Sequence, residues 1–298
     1  MHNTTYSRQR VSRKTGWTLP VPYCNCGCPD TVIDTGHIGH WLFQLTKCQC
    51  QVVNLGAGFD TTYWNLKDQN LVAKNFIEVD FTSVTSRKCY YVKSRKQLLD
   101  KLTSEDGDIK FNSTDLHSSD YHVVGADMRK LDEFEKKLNE CGIDRNLPTI
   151  FLAECVLVYM TADSSSALVR WIADKFPTVF FVNYEQVNML DRFGEVMVEN
   201  LRTRGCALAG VTHCISLDSQ KDRFLTNGWE GANALDMNQV YKNLPHDEVQ
   251  SMEGFGVLVD LQVALFAHYC ITWSYVDRQQ PPLGLSSIRI AAPTETTQ

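Results

Sequence analysis

No run of this sequence is long and apolar enough to cross a bilayer. Residues 149–153 and 179–182 are among the longest apolar stretches, far short of the roughly 20 residues a spanning helix needs. Nor is there an excess of positive charge. Lys and Arg number 29 against 35 Asp and Glu, for a net charge of −6, which gives no general attraction to phosphate backbones or anionic lipid surfaces. Residues 1–13 are polar and basic with no apolar block behind them, which is not a secretory signal. The eight histidines contain no His-Glu-x-x-His spacing, and no Ser-His-Asp or paired-carboxylate constellation stands out. Cys24, Cys26 and Cys28, followed by Cys48 and Cys50, depart from the C-x₂₋₄-C spacing of zinc fingers, so no metal is expected. The chain has 11 cysteines. Several, such as Cys155 and Cys270, fall inside apolar patterns, and without a signal peptide reduced thiols in the cytosol are expected.

What the sequence does have is enough apolar material, 43% of 298 residues, to bury a large core. Neither an internal repeat nor a linker divides it, so one domain over 1–298 is expected, with an unusual segment at 1–46 and a disordered tail at 293–298. From about residue 48 to 184, short apolar strands alternate with helical patterns. The strands are predicted at 51–55, 76–80, 122–126, 149–153 and 178–184. Helices are predicted at 61–66, 82–88, 131–141 and 162–176, the last capped by Thr161. Residues 94–119 read as a surface excursion. Beyond 185, helices are predicted at 189–204, 218–226 and 260–269, and strands at 270–275 and 286–291. Strands alternating with helices predict an α/β fold whose mostly parallel sheet is covered on both faces. Such a sheet takes its ligand beyond the carboxyl ends of its strands.

The chemistry concentrates at those ends. Gly56-Ala57-Gly58 follows the first strand, and glycine there lets the backbone turn tightly and approach a nucleoside without a Cβ in the way. Asp80 ends the next strand, where a carboxylate can accept both ribose hydroxyls. Asp127 follows the third strand and can receive an adenine amino group, and Glu154 follows the fourth. A nicotinamide-dependent oxidoreductase would share this plan, but its G-x-G-x-x-G needs glycine where Thr61 stands. The close helix approach that accommodates a pyrophosphate is then missing. S-adenosylmethionine has no phosphate, which favours methyl transfer over hydride transfer.

Longer motifs sharpen this. Val53-Asn54-Leu55-Gly56-Ala57-Gly58-Phe59-Asp60-Thr61-Thr62-Tyr63-Trp64 resembles the leucine carboxyl methyltransferase family. So do Glu78-Val79-Asp80-Phe81, Thr85-Ser86-Arg87-Lys88, Gly125-Ala126-Asp127 and Ala153-Glu154-Cys155-Val156-Leu157-Val158-Tyr159-Met160-Thr161. Asn183-Tyr184-Glu185-Gln186-Val187-Asn188-Met189, Asp191-Arg192-Phe193-Gly194 and Asn227-Gly228-Trp229-Glu230 continue the match in order, over roughly 47–275. The resemblance implies a Rossmann-like, seven-stranded class I fold that uses S-adenosylmethionine. It also implies methylation of the C-terminal leucine carboxylate of the catalytic subunit of protein phosphatase 2A, by a cytoplasmic monomer that works on neither nucleic acid nor membrane. By position, Gly56 and Gly58 would pass the methionine part of the cofactor and Asp80 would hold the ribose. Asp127 and Met128 would flank adenine, and Glu154 would lie near the methionyl end. Met128 stands where the family often has Leu, a swap of similar volume.

An ionised carboxylate needs no general base to accept a methyl group, so the missing triad is no objection. Positioning and exclusion of water are what such a reaction asks of the protein. Tyr184, Glu185 and Arg192 are the candidates for shaping the acceptor side. A related branch that methylates a modified tRNA base side chain carries an added repeat domain, and the lack of repeats here favours the phosphatase branch. Upstream of 47 the resemblance stops. Family members carry there an Arg-Gly-aromatic-x-x-Arg pattern that helps hold the cofactor carboxylate. Gly36-His37-Ile38-Gly39-His40-Trp41-Leu42 occupies that place without an Arg, and Arg8, Arg10 and Arg13 stand in another context. The alternative is therefore a catalytically impaired family member that retains phosphatase binding.

Overall fold

A computed structural model describes residues 46–102, 109–243 and 259–289. The chain begins its sheet with β1 (Gln51–Leu55), every residue of which is buried, as expected of a strand covered on both faces. Helix α1 (Thr62–Asp68) follows, then β2 (Asn75–Asp80), α2 (Thr82–Ser94) and the single turn α3 (Lys96–Leu99). Two short strands, β3 (Lys110–Phe111) and β4 (Leu116–His117), lead into β5 (Tyr121–Gly125) and α4 (Leu131–Glu140). The chain then runs through β6 (Thr149–Glu154), α5 (Ala162–Lys175), β7 (Thr178–Gln186), α6 (Arg192–Thr203) and α7 (Leu217–Leu225). It closes with β8 (Gly231–Asp236), α8 (Met237–Lys242), α9 (Val259–Phe266) and β9 (Tyr269–Asp277).

The strands form one sheet in the order β3-β4-β5-β2-β1-β6-β7-β9-β8. Strands β5, β2, β1, β6 and β7 are mutually parallel, β9 runs antiparallel to β7, and β8 antiparallel to β9. From β1 the chain winds outward to β2 and β5, then returns to the other flank of β1 as β6. The reversal between β1 and β6 opens a crevice at their carboxyl ends.

Alternation along each strand divides the core into two layers. Val52, Phe76, Tyr121, Ile150 and Val182 face the layer of Tyr63 and Trp64 from α1, Val92 from α2 and Val240 from α8. Val53, Ile77, Val124, Phe151 and Phe181 face Phe134 and Leu138 from α4 and Leu168, Val169 and Ile172 from α5. Each such fully buried side chain contributes about 1.5–3 kcal/mol relative to exposure. The Thr161 hydroxyl accepts from the Ser164 N–H and starts α5 as the sequence predicts.

The expected α/β architecture holds, with nine strands rather than seven. The two added strands lie in the stretch 94–119, read from sequence as an excursion. It contains the end of α2, then α3, and the β3–β4 hairpin that lengthens the sheet beside β5. The strand expected at 286–291 is corrected where described: Leu285–Ser287 is a short 3₁₀ turn with Gly284 in the left-handed region ahead of it. Strand β8 has no counterpart in the sequence reading. Its segment Gly-Ala-Asn-Ala-Leu-Asp lacks β-branched and aromatic residues, and all six are half-buried at the sheet edge,. The boundary expected at Tyr184 moves to Gln186, because Glu185 and Gln186 are fully buried despite their polarity. Among the described residues no helix is long and apolar enough to cross a membrane, and Cys48, Cys50, Cys89, Cys141, Cys155, Cys206, Cys214 and Cys270 are free thiols.

Candidate active site

The bend after β1 is tied to its neighbour strand. The N–H groups of Gly56 and Ala57 both donate to the carbonyl of Val79, at 2.8 and 3.3 Å. Gly56 has φ +64° and Gly58 φ +52°, a region that costs L-residues with a Cβ about 1–2 kcal/mol. A Cβ on Gly56 would lie 2.5 Å from Cγ2 of Val156, whereas one on Gly58 would meet nothing within 4 Å. The space over Gly58 is thus open. The Gly58 N–H crosses to Oδ2 of Asp80 at 2.8 Å, and the Phe81 N–H donates to Oδ1 at 2.6 Å. These two bonds aim the half-buried Asp80 carboxylate at the mouth of the bend and leave each oxygen a free lone pair.

Strand register sets the other acids beside it. Asp80 pairs with Gly125, two residues before Asp127, and Leu55 pairs with both Val79 and Ala153, so Gly56, Asp80 and Glu154 end their strands at one level. Asp127 is held by a bidentate pair with Arg129, both contacts 2.8 Å, and this keeps its carboxyl below the ordinary value. Met128 is buried among the apolar side chains of the α4 layer. Glu154 is reached by solvent, yet enough protein surrounds its carboxyl that desolvation, with the nearby Asp60 charge, raises it to about 7,. The Glu154 carboxyl has no hydrogen-bond or ion-pair partner among the described residues, so none of them compensates it towards a cation in the crevice.

A network missed by the sequence reading lies under the bend. Lys88 of α2 forms an ion pair with Glu78 of β2, both buried, and its ammonium donates to the carbonyl of Asp60 at 2.8 Å. The Tyr121 hydroxyl donates to Glu78 at 2.9 Å. Asp60 in turn accepts from the Asn54 amide at 2.5 Å and from the N–H and hydroxyl of Thr62, both at 2.8 Å, which anchors the start of α1. Burial pushes Glu78 up to about 7, against the pull of Lys88 and with Asp60 adding to the rise. The available signal was a lysine on the same helical face as Thr85, Cys89 and Val92.

Of the three residues predicted on the acceptor side, only Tyr184 shares a sheet face with Glu154, its register partner on β6. It stacks on Tyr269 at 5.2 Å, an aromatic wall beside the crevice. Glu185 is corrected: as the next residue of β7 it points through the opposite face. There it is fully buried, accepts from the Val158 N–H at 2.8 Å and lies 4.0 Å from the buried Arg223. Arg192 lies apart from the strand ends, on α6. Its side chain is 85% exposed at the start of α6 and pairs with Glu195 at 3.0 Å. Residues 36–42, where the family's arginine pattern is missing, lie outside those described.

A parallel sheet with this reversal, one antiparallel strand inserted at its far edge, and a glycine bend flanked by strand-end acids is the class I fold of S-adenosylmethionine-dependent methyltransferases. The overall shape resembles a crystal structure of a DUF574 family protein from Streptomyces avermitilis, with TM-score 0.52 and 12% identity over 80% of this chain and 79% of that one. The leucine carboxyl methyltransferase family model matches residues 35–173. Leucine carboxyl methyltransferase 1 of Rattus norvegicus is 46% identical, covering 82% of this chain and 74% of its own. The Bos taurus protein of the same name is 45% identical over 84% and 78%. A tRNA wybutosine-synthesizing protein 4 of Homo sapiens is 34% identical over 75% of this chain but 33% of its own length. This chain belongs to the leucine carboxyl methyltransferase family.

Proposed function

We propose that this chain methylates the C-terminal leucine carboxylate of the protein phosphatase 2A catalytic subunit in the cytoplasm, using S-adenosylmethionine. The observation that carries the reading is the glycine bend with Asp80 and Glu154 at the same level on either side of it. The residues present fit the cofactor. Open space over Gly58 admits the methionine part, Asp80 has lone pairs free for two ribose hydroxyls, and Glu154 has no counter-charge among the described residues where an ammonium group would lie. Asp127 can accept from the adenine amino group through the lone pairs that Arg129 leaves free. Met128 contributes packing behind it. When bound, the cofactor supplies a sulfonium methyl that a carboxylate oxygen can take, the C–S electron pair remaining on sulfur. The protein's part is to orient and to keep water away, and the Tyr184–Tyr269 wall serves the second need.

A methylation assay with labelled cofactor tests this, using phosphatase with and without its last leucine. Label is expected in the intact protein alone. Label independent of the leucine, label entering tRNA instead, or no calorimetric binding at high micromolar cofactor would each overturn the reading.

Asp80→Ala should weaken cofactor binding by about 1–3 kcal/mol through lost charge-assisted hydrogen bonds, beside a loss of stability from the Gly58 and Phe81 N–H groups it leaves without their acceptor. Calorimetry shows whether affinity holds, which would remove the ribose role. Glu154→Gln should move stability and binding in opposite directions. A raised carboxyl means that the folded chain holds its proton more tightly than the unfolded one. Stability contributed by Glu154 therefore falls as pH rises from the ordinary carboxylate range to about 7, then stays flat,. Above pH 7 the amide variant should be more stable by about 1 kcal/mol, well below the full shift because solvent screens this carboxyl. Its cofactor affinity should nevertheless fall by about tenfold. Melting and calorimetry at pH 6 and pH 8 check both signs.

A further inference from the structure

At the other end of the sheet, away from the glycine bend, three soft or borderline donors meet. His117 on β4 stands directly opposite His122 on β5 across an antiparallel pair. Their Nδ1 atoms face each other at 3.0 Å. The third donor is the thiol of Cys141, the residue that ends α4. The candidate ligand atoms of all three lie within 4.8 Å of one another.

Each is held by regular structure rather than by a loose loop. The ladder fixes both histidines. The Cys141 N–H donates to the carbonyls of Lys137 and Leu138, at 3.2 and 3.1 Å, and its own carbonyl accepts from the Asn75 amide at 2.9 Å. His122 and Cys141 are buried, whereas His117 is half-buried and leaves a way in from solvent. Two imidazoles on one tetrahedral zinc, with bonds of about 2.0 Å, would set their nitrogens about 3.3 Å apart, close to the separation seen. Burial first, then the Asp115 and Glu140 charges, against the pull of Lys137, push the Cys141 thiol up to about 12, so a metal has to displace its proton,. Asp115 itself is already engaged by Lys137, Asn112 and the Gly125 N–H, so it serves as surrounding charge and not as a ligand.

We infer that His117, His122 and Cys141 bind a zinc ion, with water completing the four positions. Imidazole and thiolate together suit Zn²⁺ and disfavour the hard cations Mg²⁺ and Ca²⁺. Binding forms one Zn–S and two Zn–N bonds and releases the thiol proton to solvent, together with any proton carried by the imidazoles. The ion ties the β3–β4 hairpin and β5 to the end of α4, at the sheet end opposite the crevice. It acts on stability, and methyl transfer does not pass through it.

The experiment is equilibrium dialysis of the full chain against Zn²⁺, with Co²⁺ as a spectroscopic probe. The wild-type chain should hold one zinc, show thiolate charge-transfer and tetrahedral d–d bands with cobalt, and melt about 5 °C higher with zinc at hundredfold excess over its Kd. Cys141→Ser, His122→Gln and the gentler His117→Gln should each lose at least about tenfold in affinity and the thermal gain. The charge-transfer band should vanish only in Cys141→Ser. Far-ultraviolet circular dichroism and cofactor binding report whether each variant is folded. No zinc retained by the wild-type chain would leave only an imidazole–imidazole hydrogen bond and overturn the inference. Zinc retained undiminished by all three folded variants would place it on other cysteines and do the same.

Discussion

Lys88→Met is expected to lower the stability of the folded chain by about 3–5 kcal/mol at pH 8, the usual consequence of leaving one member of a buried ion pair alone. Glu78 and Lys88 are 1% and 4% exposed, so water cannot replace the missing ammonium. The variant also loses the donor to the Asp60 carbonyl, and Asp60 anchors Asn54 and Thr62 on either side of the glycine bend. Cofactor affinity should therefore fall together with stability, although Lys88 does not reach the crevice itself. The pH dependence identifies the cause. Glu78 is already raised by burial, and removing Lys88 raises it further. The folded variant then holds a proton that the unfolded chain releases in the ordinary carboxylate range. Its stability must worsen as pH rises through that interval and recover as pH falls. Denaturant melts at pH 6 and pH 8 should show a smaller deficit at the lower pH. The double replacement Lys88→Met with Glu78→Gln should recover part of the loss, since no charge is then stranded. A deficit equal at both pH values would show that Lys88 acts through its contacts with Trp64 and the Asp60 carbonyl rather than through its ion pair with Glu78.

The same network marks where sequence reasoning stopped. Strands β1, β2, β5, β6 and β7 were legible because each is a short apolar run bounded by turn residues, and their alternation with helices dictates parallel pairing. The strand-end positions of Asp80 and Glu154 followed directly. Lys88, Glu78 and Asp60 did not, because a buried charge pair looks like a surface pair until the folded chain shows which helical face is covered. Glu185 failed for the converse reason. It follows Tyr184 in a matching motif, but a strand sends adjacent side chains to opposite faces, and only the sheet shows which face is the crevice. Strand β8 was invisible because edge pairing with β9 supplies what its residues lack in propensity. His117 and His122 do not have a helical ligand spacing, and only antiparallel register brings them together.

The two glycines of the bend separate the demands of the fold from those of the ligand. Gly56→Ala puts a methyl group into a left-handed residue and 2.5 Å from Cγ2 of Val156. Val156 is itself buried and β-branched, so it has little freedom to withdraw. Backbone strain of about 1–2 kcal/mol and overpacking of about 1–3 kcal/mol add to a loss of roughly 2–5 kcal/mol, present with or without cofactor. Gly58→Ala carries the same backbone strain, but its methyl group points into space that the protein leaves open. Its apparent stability without cofactor should drop by only about 1 kcal/mol. If that space is where the methionine part lies, the added methyl must displace it, and cofactor affinity should fall by at least about tenfold, a shift of about 1.4 kcal/mol. Thermal melts and calorimetry on the pair give four numbers with a fixed pattern: Gly56→Ala fails mainly in the melt, Gly58→Ala mainly in the titration. A Gly58→Ala chain that binds cofactor as tightly as the wild type would move the ligand off this bend, whatever the neighbouring acids suggest.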